Sequence, residues 1–326
     1  MTDIVTGLPK DFIDRLAILV PKDKLSDVLA SFTSRRPTTI RANTLKATVV
    51  NLHKKLMDQG AELTSVQWNA LASIVNKLEL RDLTNTESYK NGELYVQSLS
   101  SMVPPLVLAP RAGDKVLDIA AAPGSKTTQM AAMMENQGEI IANDTSHVRR
   151  YRLQANLDTQ GVTIAKVGKV DGRSIWQEYP EYFDKTLVDV PCSMEGRFLG
   201  SDAKTYKDWS PKKVKILSNL QRWLLRSAIS ATKTGGIIVY STCTLSPEEN
   251  EGVIDWILQK EAGNIQMLPI DIDNLPIDPA VTRWGEKEYD PEVAKCARIL
   301  PSAYMEGFFV AKIQKIASNI HSQLIV

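Results

Sequence analysis

The chain has 326 residues, 43% hydrophobic and 24% charged, with a formal net charge of +1. That length suits one large α/β domain with a smaller companion. The composition is that of a soluble globular protein, no apolar run reaches membrane-spanning length, and three cysteines exclude a disulfide framework. An acid in Met1-Thr2-Asp3, where a signal peptide carries basic residues, points to an intracellular, cytoplasmic protein. There is no Cys-x-x-Cys pair, and histidine is limited to His53, His147 and His321, so no metal site is expected.

Residues 10–32 predict a helix in two pieces separated by Pro21, with Phe12, Leu16, Leu19, Leu25, Val28 and Leu29 as its apolar set. A strand over 38–43, a helix over 45–59 stopped by Gly60 and a strand over 62–68 complete a small α+β unit covering about 1–95. A helix over 98–108 leads into residues 96–326, where strand and helix alternate. Strands are expected at 116–119, 139–143, 163–167, 185–188 and 236–240. Helices are expected at 125–136, 147–158, 210–232 and 248–260, and 265–268 and 307–313 close the chain. The alternation predicts a doubly wound, mostly parallel α/β sheet. Ser210-Pro211 supplies an N-cap and a first-position proline for the long helix.

Chemistry gathers at the strand ends. Asp189-Val190-Pro191-Cys192 and Ser241-Thr242-Cys243 each follow a buried apolar run, which places both thiols at the carboxyl edge of the sheet. The first strand of the series ends in Asp118-Ile119-Ala120-Ala121-Ala122-Pro123-Gly124-Ser125-Lys126. Its small residues allow close approach of a ligand, and the helix start at Ser125 offers free N–H groups to an anion such as a carboxylate. The loop lacks the G-x-G-x-x-G pattern, which argues against a nicotinamide-dependent oxidoreductase. Asp144 and Asp171 follow the next two strands, where they suit a ribose and an adenine or simply cap their turns. Lys126 reads as a cofactor contact, a structural contact or both. Cys296 reads as a buried apolar residue.

Basic residues cluster twice. Between 203 and 233 the local balance is +7, and Arg35, Arg36 and Arg41 form a second knot. Either cluster fits a polyanion or a solvated face. Trp209 and Arg222 fit a stacking or clamping role, and Trp209 equally fits a core.

Taken together, the loop at Asp118–Lys126, the Cys192 and Cys243 motifs, Gly307-Phe308-Phe309-Val310-Ala311, Tyr95-Val96-Gln97-Ser98 and Arg41-Ala42-Asn43-Thr44 resemble the Fmu/Nop/Sun family of RNA (cytosine-5) methyltransferases. The likeness runs from about residue 35 to 313. It implies a Rossmann-like methyltransferase core with a small N-terminal α+β RNA-recognition domain. It also implies S-adenosylmethionine as cofactor and rRNA or tRNA as partner. A monomer is expected, because the pattern shows no large apolar surface element. By the resemblance, Ala120, Ala121, Ala122, Pro123, Gly124, Ser125 and Lys126 contact the methionine part of the cofactor. Asp144 would hold the ribose with Arg149 close by, Asp171 the adenine, and Asp189 would lie near both cofactor and base. Cys243 is the family's nucleophile, and Cys192 helps release product. Arg298 and Pro301 resemble an element near the target pocket, or a turn. Two departures stand out: Ser125 replaces the usual second glycine of the loop, and Met194 stands where glycine is common. A family of this kind often carries an added RNA-binding module, and none is seen beyond residue 313, which leans the expectation towards rRNA. The runner-up reading is a non-catalytic RNA-binding or ribosome-assembly factor on the same fold.

Overall fold

The structure, a computed structural model, describes residues 7–320; the acidic start at Met1-Thr2-Asp3 and His321 lie outside the described residues. Two short helices, α1 (Lys10–Leu19) and α2 (Leu25–Ala30), break at Pro21 as the sequence predicts. A small antiparallel sheet follows, with order β2-β3-β1-β4. Its strands are β1 (Thr38–Ala42), β2 (Glu62–Val66), β3 (Asn69–Asn76) and β4 (Leu94–Val96), and α3 (Val49–Met57), α4 (Leu80–Asn85) and α5 (Glu87–Lys90) join them. The helix expected from 45 begins later because the Thr48 side chain accepts from Asn51 N and caps it there. The strand β3, which the sequence reading did not foresee, is the centre of this sheet and pairs with both β1 and β2.

The helix α6 (Leu99–Leu108) then leads to the large sheet. In chain order come β5 (Lys115–Asp118), α7 (Ser125–Met133), β6 (Glu139–Asn143), α8 (His147–Gln160), β7 (Ala165–Gly168), α9 (Ile175–Glu178), β8 (Phe183–Asp189), α10 (Pro211–Ala231) and β9 (Thr232–Thr242). After them come α11 (Glu251–Lys260), β10 (Ile265–Leu268) and the two-residue strands β11 (Asp278–Pro279), β12 (Arg283–Trp284) and β13 (Lys287–Glu288). The last strands are β14 (Ala297–Ile299) and β15 (Phe308–Lys315).

Five strands run parallel in the order β7-β6-β5-β8-β9. The remaining strands of the nine-stranded sheet add on antiparallel: β15 pairs with β9, β14 and β10 share the outer edge of β15, and β11 pairs with β14. The expectation of a mostly parallel sheet therefore holds for the five strands β5 to β9, while the chain's last strands are all antiparallel. Strand order reverses between β5 and β8, and a doubly wound sheet opens its binding crevice at such a switch point. Asp118 ends one of these strands and Asp189 the other.

Period-two alternation along the strands sends neighbours to opposite faces. Val116, Ile140, Leu187, Val239 and Val310 pack under α6 and α7. Leu117, Ile141, Val188, Ile238 and Phe309 pack under α9, α10 and α11. The unit expected over 1–95 divides into two packing groups. The helix α3 and the small sheet share one core around Ile40, Leu52, Leu56 and Val75. Phe12, Leu16, Val28 and Phe32 instead pack on Phe198 and Leu245, next to the Cys192 and Cys243 loops.

Candidate active site

The thiols meet across the strand ends: Cys192 Sγ lies 3.3 Å from Cys243 Sγ, and both are free. The hydrogen bond to Cys243, and then burial, push the Cys192 thiol well up from its ordinary value. Cys192 is therefore the thiol that holds its proton more tightly than a free cysteine does. Cys243 lines a cavity of about 380 Å³, whereas Cys192 lines a second cavity of about 230 Å³ behind it. The sulfur pair is a shared wall between the two.

The larger cavity gathers Asp118, Ala120, Ala121, Ala122, Pro123, Ser125, Lys126, Arg149 and Asp189 with Cys243. Asp189 is held from two sides. Lys126 Nζ sits 2.7 Å from Oδ2, and Ser241 Oγ donates to Oδ1 at 2.8 Å. Lys126 also donates to Ser101 Oγ at 2.8 Å, so it both lines the cavity and joins α7 to α6. Asp118 accepts from Thr127 Oγ1 at 2.7 Å. Burial, helped by the nearby Asp189 charge, lifts the Asp118 carboxyl to about 7, with Thr127 opposing the rise.

The loop itself needs its glycine. Gly124 has φ +108°, and a Cβ there would lie 2.9 Å from Leu153 Cδ1. It caps α7, whose first residue is Ser125, so the departure at Ser125 falls at a helix start and is accommodated. Asn143 fixes neighbouring strand ends by donating to the carbonyls of Ile119 and Val170 at 3.2 and 2.9 Å.

The expected nucleoside residues divide. Asp144 is buried behind Arg149, whose Nη1 stands 3.3 Å from Oδ2, while Nη2 donates to the Ala122 carbonyl. Asp144 does not itself line the cavity; its Oδ2 is buried without a hydrogen bond, next to Arg149, which does line it. Asp171 does not line the cavity; its carboxylate is taken up by Arg173 at 2.6–3.1 Å, and that contact lowers its pKa. With small residues in the loop, a free helix start and the unsatisfied Asp144 oxygen behind Arg149, this cavity fits S-adenosylmethionine.

Several site residues escaped sequence reasoning. Arg197 lines both cavities and ion-pairs with Glu306 at 3.2 Å, and Ser98 Oγ donates to Glu306 at 3.0 Å. Tyr95, Gln97, Ser98 and Phe308 line the larger cavity from segments quoted only as part of a resemblance. Under the Cys192 loop, Glu249 accepts from Ser193 N at 3.0 Å, from Ser193 Oγ, and from Gln221 at 2.7 Å. Burial lifts Glu249 to about 7, and the Ser193 and Gln221 bonds oppose the rise. Only the strand-end position of Glu306-Gly307 and the i, i+3 spacing of Ser246 and Glu249 hinted at these roles.

Other candidates move away from the site. Arg298 is buried against Glu251 at 2.5–2.6 Å and serves the fold. Pro301 lies against Gly307, its ring in the space a Cβ there would need, and does not line the larger cavity. Arg222 sits over the Trp256 ring, away from both cavities. Trp209 packs on Phe12 and Phe198, as its core reading has it, and also lines the smaller cavity. Cys296 is buried, as read.

Similar proteins are known. A family profile described as 16S rRNA methyltransferase RsmB/F matches residues 105–314, and one for the N-terminal domain of 16S rRNA methyltransferase RsmF matches residues 8–99. A tRNA (cytosine(49)-C(5))-methyltransferase of Pyrococcus abyssi is 41% identical, over 85% of this chain and 87% of that protein. Ribosomal RNA small subunit methyltransferase F of Vibrio cholerae is 38% identical over 96% of this chain. The chain spans 65% of that relative's length. Among solved structures, a methyltransferase homolog protein from Pyrococcus horikoshii superposes with a TM-score of 0.82 at 34% identity, over 95% of this chain and 96% of that one.

Proposed function

The chain belongs to the RsmB/F family of 16S rRNA methyltransferases, which use S-adenosylmethionine, and from that membership we propose that it methylates carbon 5 of a cytosine in RNA. The observation that carries the reading is Cys243 on the wall of the Asp118–Lys126 cavity, with Asp189 beside it and Cys192 Sγ 3.3 Å away.

Carbon 5 of cytosine is a weak nucleophile. Addition of the Cys243 sulfur at carbon 6 turns the ring into an enamine, so that one hard step becomes two easier ones. Asp189, steadied by Lys126 and Ser241, is placed to hold the ring nitrogen and amine at the base edge. S-adenosylmethionine, when bound, supplies the electrophilic methyl group. Ala120–Lys126 and the α7 start would hold its amino-acid end, and Asp144 its ribose with Arg149 displaced. Asp171 would reach the adenine only on release from Arg173. Once carbon 5 carries the methyl group, its proton must leave before the Cys243–C6 bond breaks. The Cys192 side of the pair supports that release.

Two family profiles favour small-subunit rRNA as substrate. The 41% identity to a tRNA methyltransferase favours tRNA as the second reading. Bisulfite sequencing of total RNA with and without the gene decides between them, because one protected cytosine disappears from one RNA class. In vitro, Cys243→Ala should lose transfer by on the order of 10³-fold or more. Cys192→Ala should instead accumulate a denaturation-resistant protein–RNA adduct. Absence of both effects with a chain that binds S-adenosylmethionine would remove the covalent mechanism.

A further inference from the structure

Apart from Cys192 on its wall, the smaller cavity has no part in the chemistry just described. It is lined by Arg197, Lys204, Asp208, Trp209 and Lys213, with Met194 at its rim. Lys204 and Lys213 are exposed, and no described residue forms an ion pair with either. With Arg197 they give the cavity three cations against the one carboxylate of Asp208. Trp209 is fixed in place, since its Nε1 donates to Glu195 Oε1 at 2.8 Å and its ring packs on Phe12 at 5.9 Å. A rigid indole beside unpaired cations is the pairing that holds single-stranded nucleic acid: the ring stacks a base and the cations take its phosphate. Arg197 opens into both cavities, so a strand with its target base at Cys243 can continue past Arg197 into the second one.

We propose that the cavity lined by Lys204, Trp209 and Lys213 is a subsite for the nucleotide adjacent to the target cytosine. The proposal rests on the RNA methyltransferase reading and deepens it. Lys204 and Lys213 bind the phosphate, Trp209 stacks the base, and Asp208 faces its polar edge. Met194 narrows the rim: its backbone is in the left-handed region at φ 61°, and its side chain is 43% exposed where a glycine would leave the cavity wider. The subsite therefore selects the identity of one flanking base.

Fluorescence anisotropy with the full chain and a fluorescein-labelled 12-nucleotide single-stranded RNA carrying one central cytosine tests this. The Lys204→Glu/Lys213→Glu double variant should weaken binding tenfold or more. It should also reduce the slope of log affinity against log salt by about 0.7, the share of one single-strand phosphate contact. Lys260→Glu, an exposed charge reversal outside both cavities, controls for bulk charge and should change binding less than twofold. Trp209→Phe should weaken binding of a purine-flanked oligonucleotide more than that of one with an abasic neighbour. Equal affinity of the double variant and the parent, or loss of affinity matched by Lys260→Glu, overturns the subsite. Methyl transfer from labelled S-adenosylmethionine is read separately. Lysine-dependent binding without transfer would sink the enzymatic reading while leaving the subsite standing.

Discussion

At the scale of single residues, the site is a contest between burial and charge. Glu249 is held up at about 7 beneath the Cys192 loop, against an ordinary value of 4.5. Below about pH 4.5 it binds a proton in both folded and unfolded chains. As pH rises through 7 the folded state has to bury a charge, so the stability that protonation contributes is lost. Glu249→Gln removes that loss. Its carbonyl keeps the bonds from Ser193 N and Gln221, and its amide can donate to Ser193 Oγ, which turns its own proton to Thr244 Oγ1 at 2.7 Å. The variant should gain on the order of 2 kcal/mol at pH 8 and little at pH 5. Urea midpoints at the two pH values check this, and equal shifts at both would refute it. A second prediction concerns close approach: a Cβ on Gly196 would lie 2.1 Å from the Gly307 carbonyl oxygen. Because Gly196 N also donates to the Cys243 carbonyl at 3.0 Å, Gly196→Ala should displace the Cys243 strand end. It should cost about 2 kcal/mol in denaturant unfolding together with most methyl transfer. The two cysteines and Asp189 were legible because each closes a recognisable apolar run. Arg197, Glu306 and Glu249 were not, because a lone charge in a polar loop looks the same whether it faces water or a thiol.

Among elements, the parallel strands were read closely because each is a short apolar run between turn residues. The long helix α10 was read for its cap: Ser210 accepts from Lys213 N, and Pro211 opens the helix. Ser210→Ala should cost about 1 kcal/mol, measured as a fall in urea midpoint. The small sheet was read poorly because its centre, β3, starts three residues after β2 ends, directly after the strand expected over 62–68, with no clear turn signal to announce a second one. The helix α6 survives Pro104 and Pro105 through its surroundings. Pro105 has no N–H for the Ser101 carbonyl, and the Gln97 amide supplies one at 3.2 Å. Gln97 also accepts from Arg41 Nε and donates to Gln129, each at 3.0 Å, tying the small sheet to α7. Arg41 is fully buried, and burial brings its guanidinium down to about 10. Gln97→Ala would leave these partners unsatisfied and should cost on the order of 3 kcal/mol, with faster amide exchange in β1 and β4. No sequence pattern announces such a network, since its members are far apart in the chain.

For the whole molecule, the basic clusters dissolve into separate jobs. Arg226 is buried against Glu261 at 3.0 Å, and Lys233 pairs with Asp184 at 2.5 Å. Arg36 donates to the carbonyls of Ser302 and Met305 at 3.1 and 2.8 Å. A local charge count overstates an RNA face whenever its members lie on different sides of a helix. The N-terminal helices tell a related story. Phe12, Leu16 and Phe32 cover Phe198 and Leu245 beside the Cys192 and Cys243 loops, so residues 8–32 share a core with that part of the large-sheet unit. A chain beginning at residue 33 should expose that patch and aggregate or melt at least several degrees lower. Static light scattering and a thermal scan would show it, and a soluble chain with an unchanged midpoint would contradict it. One further consequence comes from the sulfur pair. Two thiols 3.3 Å apart need only an oxidant such as hydrogen peroxide to take one electron and one proton from each, which would bond them to each other and return water. Protein purified in air would then lose the Cys243 thiol reversibly, and its apparent turnover would record the redox history of the sample until dithiothreitol restored it.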